Sequence, residues 1–123
     1  MDWTTALIVV GVIAAILILK SAGQISFKDA LTHLKNGALV IDVRSPGEFS
    51  SGHLSKAVNI PMEQLESVLP KLVKGKDEVL LLHCLSGTRS GMAKSKLKSL
   101  GYTNVFNLGS FARARKIVGN QEG

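Results

Sequence analysis

A cysteine lies where a buried strand turns into a helix. Cys84 follows the apolar residues 79–83 and precedes a segment with helical spacing. The loop after it consists of Leu85, Ser86, Gly87, Thr88, Arg89 and Ser90. Gly87 lets the backbone curl so that successive N–H groups point at one centre. These groups, the helix N-terminus and Arg89 all favour a thiolate at Cys84, which predicts a nucleophile. The alternative is a cysteine that only packs the strand end.

The charge on Arg89 calls for a carboxylate partner, because an unpaired cation at a helix N-terminus opposes the helix dipole. Asp42 and Glu48 are the two candidates, and we expect the pair to fix the shape of the loop rather than to touch substrate. His53 is expected to be a buried, hydrogen-bonded support. The three histidines and one cysteine lack the spacing of metal ligands, so neither a metal nor another cofactor is expected.

Strand and helix patterns alternate in the segment that contains Cys84. Apolar runs typical of buried strands lie at 38–43, 56–60, 79–83 and 104–108. Helical spacing of apolar residues is found at 27–36, 62–73 and 90–100. This alternation predicts an α/β fold in which helices cover both faces of a mostly parallel sheet. Functional loops in such sheets follow the carboxyl ends of the strands, and Cys84 is in that position.

The N-terminal segment has a different composition. Residues 6–19 contain no charged or polar side chain, and residues 3–19 make roughly 25 Å of helix, at the short end of what crosses a bilayer. Trp3 and Lys20 bracket the run as interfacial anchors do. We expect a retained transmembrane helix at about 4–20. The alternative is a cleaved signal peptide with its cleavage site in 21–23.

The expected domain boundaries follow from this division of the chain. The expected segments are the membrane span in residues 1–20, a linker at 21–25, a catalytic domain over 24–118 and a tail at 119–123. Lysines follow the span and an aspartate precedes it, which places the domain in the cytoplasm by the positive-inside rule. A single cysteine agrees with a reducing compartment and excludes an internal disulfide.

Composition sets wider limits on the function. With 46% hydrophobic and 20% charged residues among 123, the chain is too apolar to be disordered. A net charge of +6 favours an anionic partner without naming one. Nucleic acid is not expected to be that partner, because the basic residues are not accompanied by an aromatic stacking platform.

Three motifs resemble, in order and spacing, those of the rhodanese (sulfurtransferase) domain. The segment 42–61, DVRSPGEFSSGHLSKAVNIP, resembles its long signature, Cys84-x-x-Gly87-x-Arg89-Ser90 its active-site loop, and 107–110, NLGS, its C-terminal Gly-Gly turn. The resemblance covers residues 24–118. It implies a doubly wound five-stranded sheet and a Cys84 that carries sulfane sulfur as a persulfide. It also implies that Asp42 and Arg44 help to build the site, although Asp42 could equally cap a loop.

The length of the loop after Cys84 distinguishes the rhodanese domain from a second family that the sequence resembles. The pair His83-Cys84 also resembles the His-Cys pair that precedes the phosphate-binding loop of protein tyrosine phosphatases. In that family the loop between Cys and Arg is one residue longer. The resemblance to the two families implies that the shorter loop holds a single sulfur atom rather than a phosphoryl group, and the smaller space that it encloses agrees with this. The resemblance to rhodaneses therefore implies a sulfane-sulfur donor such as thiosulfate or a persulfide and a thiol or cyanide acceptor, with the lipid bilayer as a further partner. The alternative is a membrane-tethered binding, adaptor or sulfur-carrier module with little turnover.

Overall fold

The computed structural model describes residues 2–122, apart from the side chains at 19–22 and 120–122. The elements along these residues are, in chain order, α1 (Trp3–Ala22), α2 (Phe27–Lys35), β1 (Leu39–Asp42), α3 (Pro46–Ser51), β2 (Ala57–Asn59), a 3-10 turn (Met62–Gln64), α4 (Leu65–Leu72), β3 (Leu80–His83), α5 (Thr88–Ser99), β4 (Val105–Gly109) and α6 (Phe111–Glu122). Strands and helices alternate after α2, as the apolar patterns predicted.

The strands form one parallel sheet in the order β2-β1-β3-β4. β3 lies inside the sheet and all its residues are buried, which explains why its sequence is continuously apolar up to His83. The register places Asp42 opposite both Asn59 and His83. The carboxyl ends of β1, β2 and β3 therefore meet at one edge, and Cys84 follows directly from it.

The expected fifth strand does not form among the described residues, so that expectation was wrong. The chain runs beside β4 only briefly, with a single bridge from Gln24 to Asn107 and a hydrogen bond of 2.9 Å from the Ile25 N–H to the Asn107 carbonyl. The next residue, Ser26, already caps α2, because its hydroxyl accepts from the Asp29 N–H at 3.1 Å. The segment is too short for a ladder before the helix begins.

Two hydrophobic cores cover the two faces of the sheet. Alternate residues of β3 supply them, because successive side chains of a strand point to opposite faces. Leu80 and Leu82 lie with Cys84 and residues of α4 and α5 in one core, whereas Leu81 lies in the other with residues of α2 and α6. The prediction of helices on both faces of a parallel sheet is therefore confirmed.

Several element boundaries differ from the sequence prediction. α5 begins at Thr88 instead of Ser90, so Arg89 belongs to the first helical turn. α4 continues through Pro70 to its end at Leu72. α1 extends into the expected linker, and α6 extends to Glu122 through most of the expected tail.

The expected transmembrane helix falls on α1, where apolar side chains such as Ile8, Val10 and Ile13 are exposed. Within the described part of the chain, no helix combines the length and apolar character needed to cross a membrane, so the span is not supported. The side chain of Lys20, the expected anchor, and the last tail residue, Gly123, lie outside what the structure describes.

The central strand should dominate stability. We expect Leu82→Ala to lower the free energy of unfolding by about 2–5 kcal/mol, because the side chain is fully buried and its loss leaves a cavity. Urea unfolding followed by circular dichroism measures the change. The matched control is Leu72→Ala, since Leu72 is 50% exposed at the end of α4. Equal losses in the two variants would contradict this account of the core.

Candidate active site

The turn from β3 to α5 wraps the backbone around the Cys84 sulfur. The Gly87 N–H donates to Sγ at 2.9 Å, and the N–H and hydroxyl of Ser90 each lie 3.4 Å from it. Gly87 makes this curl possible, because it adopts a left-handed φ of 95° that other residues rarely adopt. A Cβ on Gly87 would also meet Gln24 Nε2 at 3.3 Å. The loop therefore presents several donors to one sulfur atom.

These donors act against burial in setting the charge of Cys84. Burial is the largest single influence on the pKa of the thiol and raises it, since it disfavours the charged form. The hydrogen bond from the Ser90 hydroxyl and those from the N–H groups of Ser90, Gly87 and Ser86 act the other way. Together they bring the pKa of Cys84 below its ordinary value. The thiolate is thus favoured although the sulfur is buried.

Access to the sulfur is closed in this conformation. Cys84 is 0% exposed, whereas the next residue, Leu85, is 57% exposed at the surface of the loop. A reagent that attacks Sγ must therefore displace atoms of the loop first. Ser86 and Thr88 are exposed as well, so an approaching molecule meets one apolar and two polar side chains of the loop.

Arg89 is paired, and its partner is Glu48. The two guanidinium nitrogens donate to the two carboxylate oxygens at 2.7 and 2.9 Å. Glu48 is held in place by a capping box at the start of α3, where it accepts from the Ser45 N–H. The hydrogen bond from Arg89 is the main reason why the pKa of Glu48 falls to about 2. Glu48 is consequently ionised at any ordinary assay pH and neutralises Arg89.

Asp42, the other candidate partner for Arg89, is bound to Arg44 instead. The pair is buried, with Arg44 Nη2 donating to Asp42 Oδ2 and to the Gly52 carbonyl, each at 2.7 Å. Asp42 also accepts from the Arg44 N–H at 2.9 Å, so it caps the turn that it helps to build. The guanidinium of Arg44 lies over the ring of Phe111, 4.6 Å from its centroid. This pair joins the end of β1 to the start of α6.

The two histidines near the loop occupy different environments. His83 is fully buried, with Nδ1 3.3 Å from the Cys84 carbonyl and Nε2 3.8 Å from Asp42 Oδ2. Burial is the main reason why the pKa of His83 is lowered, which keeps the ring neutral. His53 was expected to be buried, but it is exposed, stacks on Phe49 and bonds to the Phe49 carbonyl through Nδ1 at 2.8 Å. It is too near the end of α3 to be enclosed.

Asn107 is the residue of the site that the sequence prediction missed. The motif at 107–110 was interpreted only as a chain turn, yet the Asn107 side chain contacts both Ser90 and Gly87. Its Oδ1 is 2.7 Å from Ser90 Oγ, and its Nδ2 donates to the Gly87 carbonyl at 3.2 Å. A polar residue inside an otherwise apolar strand was the signal that could have identified it, because buried amides need partners.

Known proteins are similar to this chain over the segment that contains the loop. A profile of the family described as the rhodanese-like domain matches residues 26–113. Among curated relatives, thiosulfate sulfurtransferase PspE of Escherichia coli is 36% identical over 69 residues, which are 56% of this chain and 66% of the relative. A tRNA uridine(34) hydroxylase of Sodalis glossinidius is 32% identical over 75 residues, which are 58% of this chain and 21% of the relative.

A solved structure covers more of the chain. The human single-domain sulfurtransferase TSTD1 has 29% sequence identity and a TM-score of 0.64, and the alignment covers 76% of this chain and 96% of that one. The chain spans just under two thirds of PspE and about a fifth of the hydroxylase. The similarity therefore concerns a shared domain.

We predict that the pKa of Cys84 is lower in the folded chain than in the unfolded chain, because the hydrogen bonds from the loop are lost on unfolding. The ultraviolet absorbance of the thiolate, followed against pH with Cys84→Ser as the blank, measures the midpoint directly. Repeating the titration in denaturant should return the midpoint towards the ordinary value of 9.0. A folded midpoint at or above the unfolded one would mean that burial outweighs the hydrogen bonds.

Proposed function

Because this chain belongs to the family of rhodanese-like domains, we propose that it is a sulfurtransferase that moves sulfane sulfur from a donor to a thiophilic acceptor through a persulfide on Cys84. The observation that carries the proposal is the convergence of loop donors on Sγ at the end of β3. Convergent N–H groups stabilise a negative charge on Sγ. In such a cycle Sγ is a thiolate before it attacks the donor and again when the acceptor removes the transferred sulfur.

The first half of the proposed cycle loads the cysteine. The Cys84 thiolate attacks the outer sulfur of a donor, for which thiosulfate is the simplest case. A bond forms between Sγ and that sulfur, the sulfur–sulfur bond of thiosulfate breaks, and its electron pair leaves on sulfite. Cys84 then carries one extra sulfur as a persulfide. With a persulfide donor the leaving group is a thiolate, and the balance is otherwise the same.

The second half returns the cysteine to its starting state. An acceptor thiolate or cyanide attacks the outer sulfur, the bond to Sγ breaks, and its electron pair stays on Sγ as the regenerated thiolate. The hydrogen bonds to Sγ that lower the pKa of Cys84 also make it a better leaving group in this step. The cycle needs no external oxidant or reductant.

The supporting residues hold the loop in this proposal. Arg89 fixes the first turn of α5 against α3 through Glu48, and Arg44 fixes the end of β1 through Asp42. His53 closes the end of α3 through its bond to the Phe49 carbonyl. Of the remaining loop residues, Ser86, Gly87 and Ser90 donate to the sulfur, whereas Leu85 and Thr88 lie at the exposed surface of the loop. Both arginines near the loop are neutralised by carboxylates, which favours weakly charged donors over the thiosulfate dianion.

A second candidate function is favoured by one observation, the complete burial of Cys84. A loop that stays closed over its sulfur would suit a binding, adaptor or sulfur-carrier module with little turnover. The two functions differ in whether the loop opens for a donor. Loading of the full chain by several donors distinguishes them.

We also propose that α1 attaches the domain to a membrane, with the domain on the cytoplasmic side. The support is the exposed apolar side chains around α1, which water solvates poorly, together with the lysines that follow it in the sequence. The transfer of exposed apolar side chains such as Ile16 and Leu17 from water into lipid lowers the free energy.

We predict that incubation with thiosulfate or a small persulfide makes the chain about 32 Da heavier, the mass of one sulfur atom on Cys84. Mass spectrometry measures this gain, and cyanide should remove it as thiocyanate. Cys84→Ser should lose both the adduct and turnover, because a serine hydroxyl is far less acidic than a thiol. Its unfolding midpoint should be nearly unchanged.

The control for this experiment is Ser95→Ala, at an exposed position on α5. It should load and release sulfur at the rate of the parent chain. Turnover by Cys84→Ser would refute the persulfide mechanism. Absence of the adduct with every donor would favour a binding or adaptor module, and an adduct that no acceptor removes would favour a sulfur carrier.

We predict that the full chain remains in the membrane pellet after alkaline carbonate extraction. A Val10→Asp, Ile13→Asp variant should move to the supernatant, because buried carboxylates in lipid are costly. Immunoblotting of the two fractions measures the distribution. Recovery of the parent chain in the supernatant would refute attachment, and a mature N-terminus near Gln24 would instead identify a cleaved signal peptide.

A further inference from the structure

A single hydroxyl proton at the base of the loop lies within reach of three acceptors. Ser90 is fully buried, and its Oγ is 2.7 Å from Asn107 Oδ1, 3.2 Å from the Gly87 carbonyl and 3.4 Å from Cys84 Sγ. A hydroxyl has one proton to donate, and a thiolate, a carbonyl and an amide oxygen can only accept it. The acceptors therefore compete for that proton.

The orientation of the Asn107 amide follows from its other partners. The Gly109 N–H donates to Oδ1 at 2.9 Å, and Nδ2 donates to the Gly87 carbonyl at 3.2 Å. Because a backbone N–H can only donate and a carbonyl can only accept, these two bonds exclude the flipped amide. The oxygen that faces Ser90 is consequently a fixed acceptor. At 2.7 Å it is also the nearest one.

We propose that Asn107 is a positioning residue that competes with Cys84 for the proton of Ser90, so that the hydroxyl donates to Sγ when the sulfur is a thiolate and to Asn107 when the sulfur is uncharged. The uncharged states are the thiol and the inner sulfur of the persulfide, which are weak acceptors. Asn107 Oδ1 stabilises those states because, at 2.7 Å, it is a nearer acceptor for the buried hydroxyl than the Gly87 carbonyl at 3.2 Å. The amide suits this role better than a carboxylate, which would repel the thiolate.

The use of this switch in turnover rests on the proposed sulfur transfer at Cys84, but its thermodynamic consequence does not. Asn107 Oδ1 stabilises the uncharged sulfur by taking the Ser90 proton, and therefore opposes the lowering of the thiol pKa by the loop. Removing Oδ1 leaves the Gly87 carbonyl and Sγ as acceptors for the Ser90 proton, and a charged thiolate is the stronger of these two. Removing the Ser90 hydroxyl should cancel that effect, because the contested proton is then gone.

Other charged or titratable groups lie on the elements around the loop, and none of them is changed by these substitutions. They are Glu48 on α3, Arg89 and Lys94 on α5, Asp42 and His83 at the ends of β1 and β3, Arg44 after β1, and Arg113 on α6. Their electrostatic effects on Sγ are common to all variants. A double-mutant cycle in Asn107 and Ser90 therefore isolates the contested proton.

The experiment measures the thiolate midpoint of Cys84 by ultraviolet absorbance in the full chain, without any sulfur donor. Asn107→Ala should lower the midpoint by about half a pKa unit, equivalent to roughly threefold more thiolate below the midpoint. Ser90→Ala should raise it. Asn107→Ala should have no further effect in the Ser90→Ala background. The control Asn104→Ala, just before β4, removes an amide that donates to the Asp77 carbonyl and should leave the midpoint unchanged.

A shift in the Asn107→Ala variant that persists without the Ser90 hydroxyl would overturn the proposal, since Asn107 would then act only on loop shape. A raised midpoint in that variant would overturn it as well. If Asn107→Ala does not fold, NMR of the parent chain gives the answer. The side-chain amide of Asn107 should then titrate with the Cys84 midpoint and cease to do so in Ser90→Ala, and an amide that is insensitive to this titration would refute the competition.

Discussion

Burial raises the pKa of the Cys84 thiol and hydrogen bonds from the loop lower it. The arrangement of the rest of the domain around the loop depends on keeping those hydrogen bonds in place. A buried thiol resists ionisation, because the low-dielectric interior disfavours the charge. N–H groups of the loop and the Ser90 hydroxyl supply the compensating interactions. They can do so only while the backbone from Cys84 to Ser90 keeps its curled shape. The surrounding elements are arranged to maintain that shape.

Two ion pairs maintain it from one side. The pair of Arg89 and Glu48 joins α5 to α3, and the buried pair of Arg44 and Asp42 joins the end of β1 to the loop before β2. In each pair the carboxylate removes the net charge of the arginine. The hydrogen bonds that favour the thiolate come from the Ser90 hydroxyl and from the N–H groups of Ser90, Gly87 and Ser86. This neutralisation of the arginines is the basis of the proposed preference for weakly charged donors.

The other side of the loop is held by β4 and by the chain that enters the domain. The Asn107 side chain bonds to the Gly87 carbonyl, and the segment beside it pairs with the Asn107 backbone through Ile25. Gly109, with φ of 97°, leaves room for the Gln24 side chain, which a Cβ would meet at 2.7 Å. Arg113 further joins this segment to the end of β4 by bonding to the carbonyls of Ile25 and Leu108. The segment that links α1 to the domain thus lies directly behind the loop.

The sequence by itself determined the local features. Apolar runs located the strands, and Gly87 with Cys84 located the curled loop, because both depend on residue type and on spacing within a few positions. Tertiary structure decided the features that join distant segments. It assigned Glu48 to Arg89 and Asp42 to Arg44, although either carboxylate fitted by sequence, since the choice depends on where α3 lies against α5. It limited the expected fifth strand to one bridge and brought Asn107 to Ser90, because side-chain partners across 17 residues are fixed only by the register of β4 beside β3.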